Sequence, residues 1–344
     1  MPVPPSAPPT RRAAIRLSAE DLAGSHLAPL VSQGAVPSLA WAVVQGQDVV
    51  LGGAGGAGPR TIFQIGSVTK VFTALLLADM AERGEVHLAD LAARYLRDGV
   101  GPVTLADLAT HTSGLPRLPR GLFWFALLSP RDPYARYPER RFVRAARRAL
   151  WTGRGGSPYR YSNFGYGLLG YLLGQARKST YQALTAARIC GPLGLPDTTF
   201  EVPEPSRDRK AQGLQRGHAV PDWHLGPLAG AGALYSTAAD LGTLLQVCLG
   251  CVISDPHTTS AVRLAPAIRA TIIPRQPIPG GEVGLAWHHT RRGDHTIIWH
   301  NGRTGGFSAM VAFDPARSLG IAALANTASR PPSPLDEAVL GAFG

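Results

Sequence analysis

The sequence predicts a mixed α/β chain of the α+β kind, with one domain built from both chain ends and a mostly helical segment inserted between them. Three observations carry this expectation. Strand-like runs occur near the N-terminus and return only beyond Gly226. The stretch between has little strand character but two clear helical periodicities. With 344 residues, 45% hydrophobic and 17% charged, the chain is an ordinary globular one, long enough for two domains.

The elements follow in order. Residues 1–19 begin with a Pro-rich run and read as a disordered tail. Arg11-Arg12 is not followed by an apolar h-region, because Arg16, Glu20 and Asp21 interrupt it, so a cytoplasmic protein is expected. Residues 38–44 and 48–52 form a hairpin around Gln45-Gly46-Gln47. A helix starts near Ser67, presents Val71, Leu75, Leu76 and Met80 to the core, and ends at Gly84. Helices are expected over residues 139–150 and 164–177, the second with Leu168, Leu169, Leu172 and Leu173 inward. Strands follow over residues 296–300, 307–313 and 320–325, and a last helix over residues 334–343. The division expected is residues 20–100 with 226–344 as the α/β domain and residues 101–225 as the insertion.

The formal net charge is +11, and seven arginines (Arg131, Arg136, Arg140, Arg141, Arg144, Arg147, Arg148) fall in one stretch. A solvated helix face explains them, and so does a docking surface for an anionic partner such as an acyl carrier, a coenzyme or a membrane. No nucleic-acid recognition motif accompanies the charge. The longest apolar patch, residues 122–128, is too short to span a bilayer. Cys248 and Cys251 form a C-x-x-C without a second ligand pair, which reads as buried thiols before zinc or redox chemistry; Cys190 reads as core. His111, His288 and His289 read as structural, and neither a metal nor a cofactor is implied.

Lys70 is the most informative residue. Only three of the 34 basic residues are lysine (Lys70, Lys178, Lys210), so a position needing charge alone would carry arginine. Lysine can lose its proton when desolvated and arginine cannot. Lys70 stands three residues after Ser67, one turn along the expected helix, where it can activate a serine nucleophile. A serine N-cap beside a solvated lysine would have the same spacing. Tyr161 and Asn163 share a loop that opens the next helix. Tyr161 can exchange a proton with Ser67 if the charge of Lys70 lowers its pKa, and Asn163 can orient Lys70 or the substrate; packing and helix capping are the plain alternatives. His300-Asn301-Gly302-Arg303 ends a strand, and its glycine lets substrate lie against the strand edge. His300 can bind a substrate carboxylate, hold the Ser–Lys–Tyr network, or be structural.

Together these clusters resemble the serine β-lactamase and penicillin-binding-protein superfamily, in particular its branch of class C β-lactamases, DD-peptidases and family VIII esterases. Ser67-Val68-Thr69-Lys70 matches S-x-x-K, Tyr161-Ser162-Asn163 matches Y-x-N, and His300-Asn301-Gly302 matches K-T-G or H-x-G. Residues 108–116, 232–240 and 305–307 add to the likeness, which covers about residues 20 to 330.

The resemblance implies a β-lactamase/transpeptidase-like fold, an antiparallel sheet flanked by helices. It implies that Ser67 is acylated, that Lys70 and Tyr161 share the base role, and that Asn163 meets the substrate carbonyl side. It makes the oxyanion hole from the N–H groups of Ser67 and Arg303, beside Gly302. His300 departs from the lysine of β-lactamases, which leans the expectation toward an esterase or peptidase. The reading is a serine hydrolase acting on a small ester or amide. An acyltransferase using the same acyl-enzyme, served by an anionic acyl carrier, is the alternative, and a non-catalytic ligand-binding descendant is the third. Phe123-Trp124-Phe125 is expected to wall an acyl pocket or to join the core.

Overall fold

The computed structural model describes residues 17–250, 259–328 and 333–344. Of the expected tail, residues 1–16 lie outside the described residues, and Ser18 already caps a helix at Ala19–Leu22. Cys251 is likewise outside them. Cys248 ends a helix, and burial pushes its thiol up to about 12, which suits a packed thiol.

One antiparallel sheet organises the chain. Its strands are β1 (Leu39–Gln45), β2 (Asp48–Ala54), β3 (Gln276–Ile278), β4 (Gly281–Val283), β5 (His288–Arg292), β6 (His295–Arg303), β7 (Ser308–Asp314) and β8 (Leu319–Ala325). The spatial order is β2-β1-β8-β7-β6-β5-β4-β3. The two chain ends meet where β1 pairs with β8, Ala42 opposite Ala322. The strands β3, β4 and β5 have no counterpart among the expected elements: β3 and β4 are three residues each and broken by Pro277, Gly280 and Gly281, and β5 is the polar run His288-His289-Thr290-Arg291-Arg292, so no alternation is visible.

The central strands are buried on both faces, which explains their unbroken apolar runs. Ala40, Ala42, Val44, Val311, Phe313 and Leu324 face the larger core. Leu39, Trp41, Val43, Met310, Ile321 and Ala323 face a second core, closed by the N-terminal helices and the C-terminal one. The longer helices are α1 (Thr69–Glu82), α2 (Leu122–Leu128), α3 (Glu139–Thr152), α4 (Asn163–Ala176), α5 (Ala238–Cys248), α6 (Thr259–Ile272) and α7 (Pro334–Gly341). The segment from 101 to 225 contributes Val103, Phe142, Phe164 and Leu172 to the same core as the sheet.

Two expectations change. Helix α1 does not have one core face: every residue from Thr69 to Met80 is buried, because α4, α6 and the turn at Gly226–Ala231 enclose it. Phe123 and Trp124 do not line the cavity at Ser67 described below, nor do they join the core. They are 66% and 68% exposed on α2, and only Leu122 of that helix is fully buried. Among the described residues no helix is long and apolar enough to cross a membrane, and no group of side chains is arranged to hold a metal.

Candidate active site

Ser67 lies in a 3-10 turn, Gly66–Val68, that runs into α1. Gly66 takes φ +49°, and a Cβ there would stand 2.5 Å from the backbone nitrogen of Arg303. Gly302 answers from β6: its Cβ would lie 1.9 Å from the Ile65 carbonyl oxygen and 3.0 Å from the Ser67 nitrogen. Two side-chain-free positions therefore press the serine turn against the strand edge. They bring the backbones of Ser67 and Arg303 together, with the Ser67 N–H at the start of a helical turn, where N–H groups lack partners within the helix.

One turn later Lys70 is fully buried. Its Nζ lies 2.8 Å from Ser67 Oγ, 2.9 Å from Asn163 Oδ1 and 2.6 Å from the Ala231 carbonyl oxygen. Burial, assisted by the positive charge of Arg117, holds its pKa well below the ordinary lysine value. Among the described residues no carboxylate pairs with it.

Asn163 is the first residue of α4; the cap is Ser162, whose Oγ accepts from the Gly165 N–H at 2.8 Å. Capping thus falls to the neighbour and leaves the Asn163 amide for Lys70. Its other end meets Tyr134, whose pKa a hydrogen bond from Asn163 lowers against a larger upward push from burial. The Asn163 Oδ1 faces Lys70 and leaves the amide nitrogen toward the cavity that Tyr134 also lines.

Tyr161 carries its ring 5.0 Å from Lys70 Nζ. Burial pushes its phenol up to about 12, despite the opposing hydrogen bond with Ser67 and the charge of Arg117. The expected lowering by Lys70 does not occur, because burial is the larger effect and pushes the phenol the other way.

Ser67, Tyr161, Asn163, Gly302 and Arg303 line one cavity of about 380 Å³, together with Arg117, Leu118, Tyr134, Trp223, Asn301 and Thr304. Trp223 is placed by Gln64: its N–H donates to Gln64 Oε1 (3.1 Å) and its carbonyl accepts from Gln64 Nε2 (2.9 Å). Arg303 Nε and Thr304 Oγ1 are buried with no partner. Asp336 of α7 accepts from Asn301 Nδ2 at 3.0 Å and lies 3.9 Å from the Arg303 guanidinium.

His300 is not on the cavity wall. It is fully buried, so its side chain does not meet a substrate carboxylate from this cavity. Its Nδ1 donates to the Asn301 carbonyl at 2.7 Å, leaving Nε2 as a lone-pair acceptor without a partner. His288 lies beside it at 5.3 Å, stacks on Trp299, and meets the Tyr159 hydroxyl through Nε2 at 3.0 Å. His111 accepts the Ser162 N–H on Nδ1 and sets its ring 4.5 Å from that of Tyr161. Burial, then neighbouring cations and imidazoles, holds all three neutral; His288 falls to about 4. They form an uncharged layer around Lys70 and Tyr161.

Sequence reasoning missed Tyr134, Gln64, Trp223 and Arg117. Arg117 directly follows the quoted run 108–116 and was within reach; Tyr134 stands in a Pro- and Arg-rich stretch without any pattern.

The buried lysine thus stands under a serine at a helix start, faced by a tyrosine, an asparagine and a glycine-edged strand of the main sheet. The family described as Beta-lactamase matches residues 23–343, and the chain belongs to it as a serine hydrolase of that family. It is 30% identical over 279 residues to the Escherichia coli K12 D-alanyl-D-alanine-carboxypeptidase/endopeptidase AmpH, covering 76% of this chain and 69% of that one. A β-lactamase from Lysobacter lactamgenus is 26% identical over 308 residues, covering 78% and 74%. The class C β-lactamase from Rhodobacter sphaeroides superposes with a TM-score of 0.79 at 22% identity over 94% of this chain and 99% of that one, a likeness of fold.

Proposed function

We propose that the protein hydrolyses an ester or amide through an acyl-enzyme on Ser67, with Lys70 as the base. The observation that carries this is the set of partners around Lys70 Nζ. A neutral amine has two hydrogens and one lone pair, and the Asn163 and Ala231 oxygens can only accept. They use both hydrogens, so the lone pair is left for the hydroxyl of Ser67. As Ser67 Oγ attacks the substrate carbonyl, its proton passes to Lys70. The N–H groups of Ser67 and Arg303 hold the oxyanion, each such donor being worth about 3–4 kcal/mol of barrier. Tyr161, with its phenol protonated at neutral pH, hands a proton to the leaving group and recovers one from Lys70. Water then attacks the acyl-enzyme and gives its proton to Lys70, which passes it to the Ser67 oxygen as the acyl group leaves.

Arg117, Arg303 and the unpartnered Thr304 hydroxyl favour an acyl donor with a carboxylate or other anionic group. They supply the cation that His300 does not. Arg117 and Leu118 are exposed at the rim, so water reaches the cavity, which supports hydrolysis over transfer to an acceptor. Esters and peptide-like amides remain the preferred substrates. The test is turnover of a short p-nitrophenyl ester by wild type and Ser67→Ala at matched folding. Turnover lost in the variant supports the reading, and equal turnover contradicts it.

A further inference from the structure

A second surface stands apart from the chemistry and independent of it. On α2, Phe123 and Trp124 pack edge to face at 5.7 Å, and Leu127 and Leu128 continue their two rows one turn later, 56% and 66% exposed. Such a patch amounts to on the order of 500 Å² of apolar surface, near the upper end for a soluble monomer. Leu122 anchors the helix below, and Phe125 lies half-buried against Tyr137 with the guanidinium of Arg141 over its ring at 6.0 Å.

Arginine is dense in the segment that carries the patch. Residues 117–160 contain eleven arginines and two acids. Both acids are already engaged: Asp132 is buried and bonded to His224, and Glu139 accepts from the Tyr171 hydroxyl. Helix α3 turns Phe142, Ala146 and Leu150 inward, which sends Arg140, Arg141, Arg144 and Arg148 to solvent. Beside it, Arg120, Arg148 and Arg160 ring a cleft of about 380 Å³ whose floor includes Phe164 and Ala149.

We propose that this face docks on an anionic phospholipid surface, with α2 dipped into the interface and the arginines on lipid phosphates. Exposed aromatic and leucine side chains set among cations are the composition of an interfacial helix. A second copy is disfavoured, because the contact would press one arginine field against another. An acidic acyl carrier would answer the charge but leave the aromatic patch uncovered. Leu118, at the cavity rim, stands three residues before Gly121 and α2, so docking brings the mouth of the Ser67 cavity to the lipid interface.

The test is cosedimentation of the full chain with phosphatidylcholine vesicles, with and without phosphatidylglycerol. The variants are Phe123→Ser with Trp124→Ser, and Arg144→Gln with Arg148→Gln, each checked for an unchanged melting temperature. Wild type is expected to sediment with the anionic vesicles and not with the neutral ones. The arginine pair should weaken partitioning about fivefold per charge removed, and the aromatic pair should abolish it. No sedimentation, equal binding to neutral vesicles, or undiminished binding in both variants would overturn the proposal. So would concentration-dependent dimerisation lost in the aromatic pair, or saturable binding of an acyl carrier protein at this face without affinity for vesicles.

Discussion

Lys70 Nζ and Ser67 Oγ stand 2.8 Å apart with the lysine fully buried, and every other partner of that nitrogen is an oxygen that can only accept. At that distance a deprotonated Lys70 can take the Ser67 proton, a role arginine cannot fill. That role suits a lysine in a chain where only three of the 34 basic residues are lysine.

Replacing Lys70 separates charge from basicity. Lys70→Arg and Lys70→Met should each lower kcat by roughly a hundred- to ten-thousand-fold. Their stabilities should differ. Burial depresses the folded-state pKa of Lys70, so between that value and its unfolded value the unfolded chain binds more protons. Wild-type stability therefore rises with pH through this window, and Lys70→Met should lose that slope and melt higher at neutral pH. Thermal melts across pH check this; an unchanged slope would mean Lys70 is charged in the fold.

Tyr161 should behave as an acid. With its phenol pushed up to about 12, it is protonated at neutral pH. Tyr161→Phe should retain most acylation by a p-nitrophenyl ester, whose leaving group needs no proton, and lose on the order of a hundredfold with an alkyl ester or amide. Equal losses on both substrates would return the base role to Tyr161.

Tyr134 holds the Asn163 amide that faces Lys70. Removing this hydroxyl in Tyr134→Phe should cost about 1 kcal/mol, read as a several-fold drop in kcat with KM unchanged. Asn163→Ala removes an acceptor from a buried amine and should cost more.

Arg117 tests the substrate reading. It lines the cavity and its guanidinium lies 5.3 Å from the Tyr161 ring. Arg117→Ala should raise KM for an ester carrying a carboxylate, by about tenfold, and leave a neutral ester of the same size little changed. Equal effects on both would place the anionic group elsewhere.

Much of this was legible in the chain because the motifs are local. Ser67 and Lys70 are one turn apart, and Tyr161, Ser162 and Asn163 are adjacent, so spacing alone puts each set on one face. The hairpin of β1 and β2 and the Arg-bearing α3 were read from period and turn residues within a few positions. What escaped depends on distant partners. Tyr161 looked able to ionise because its burial is invisible in sequence, and His300 looked available to substrate because strand order decides which residues of β6 reach the cavity. The hydrophobicity of Phe123 and Trp124 points to pocket or core, and only the packing of Leu122 beneath them shows that α2 faces outward.

The proposed reaction turns on a covalent acyl group on Ser67 that forms only when Lys70 can accept a proton. The direct measurement is mass spectrometry of the protein quenched during turnover of a p-nitrophenyl ester, with the modified peptide sequenced. One acyl adduct on Ser67 is expected in wild type and almost none in Lys70→Arg. An adduct on another residue, or acylation as fast in Lys70→Arg as in wild type, would contradict it.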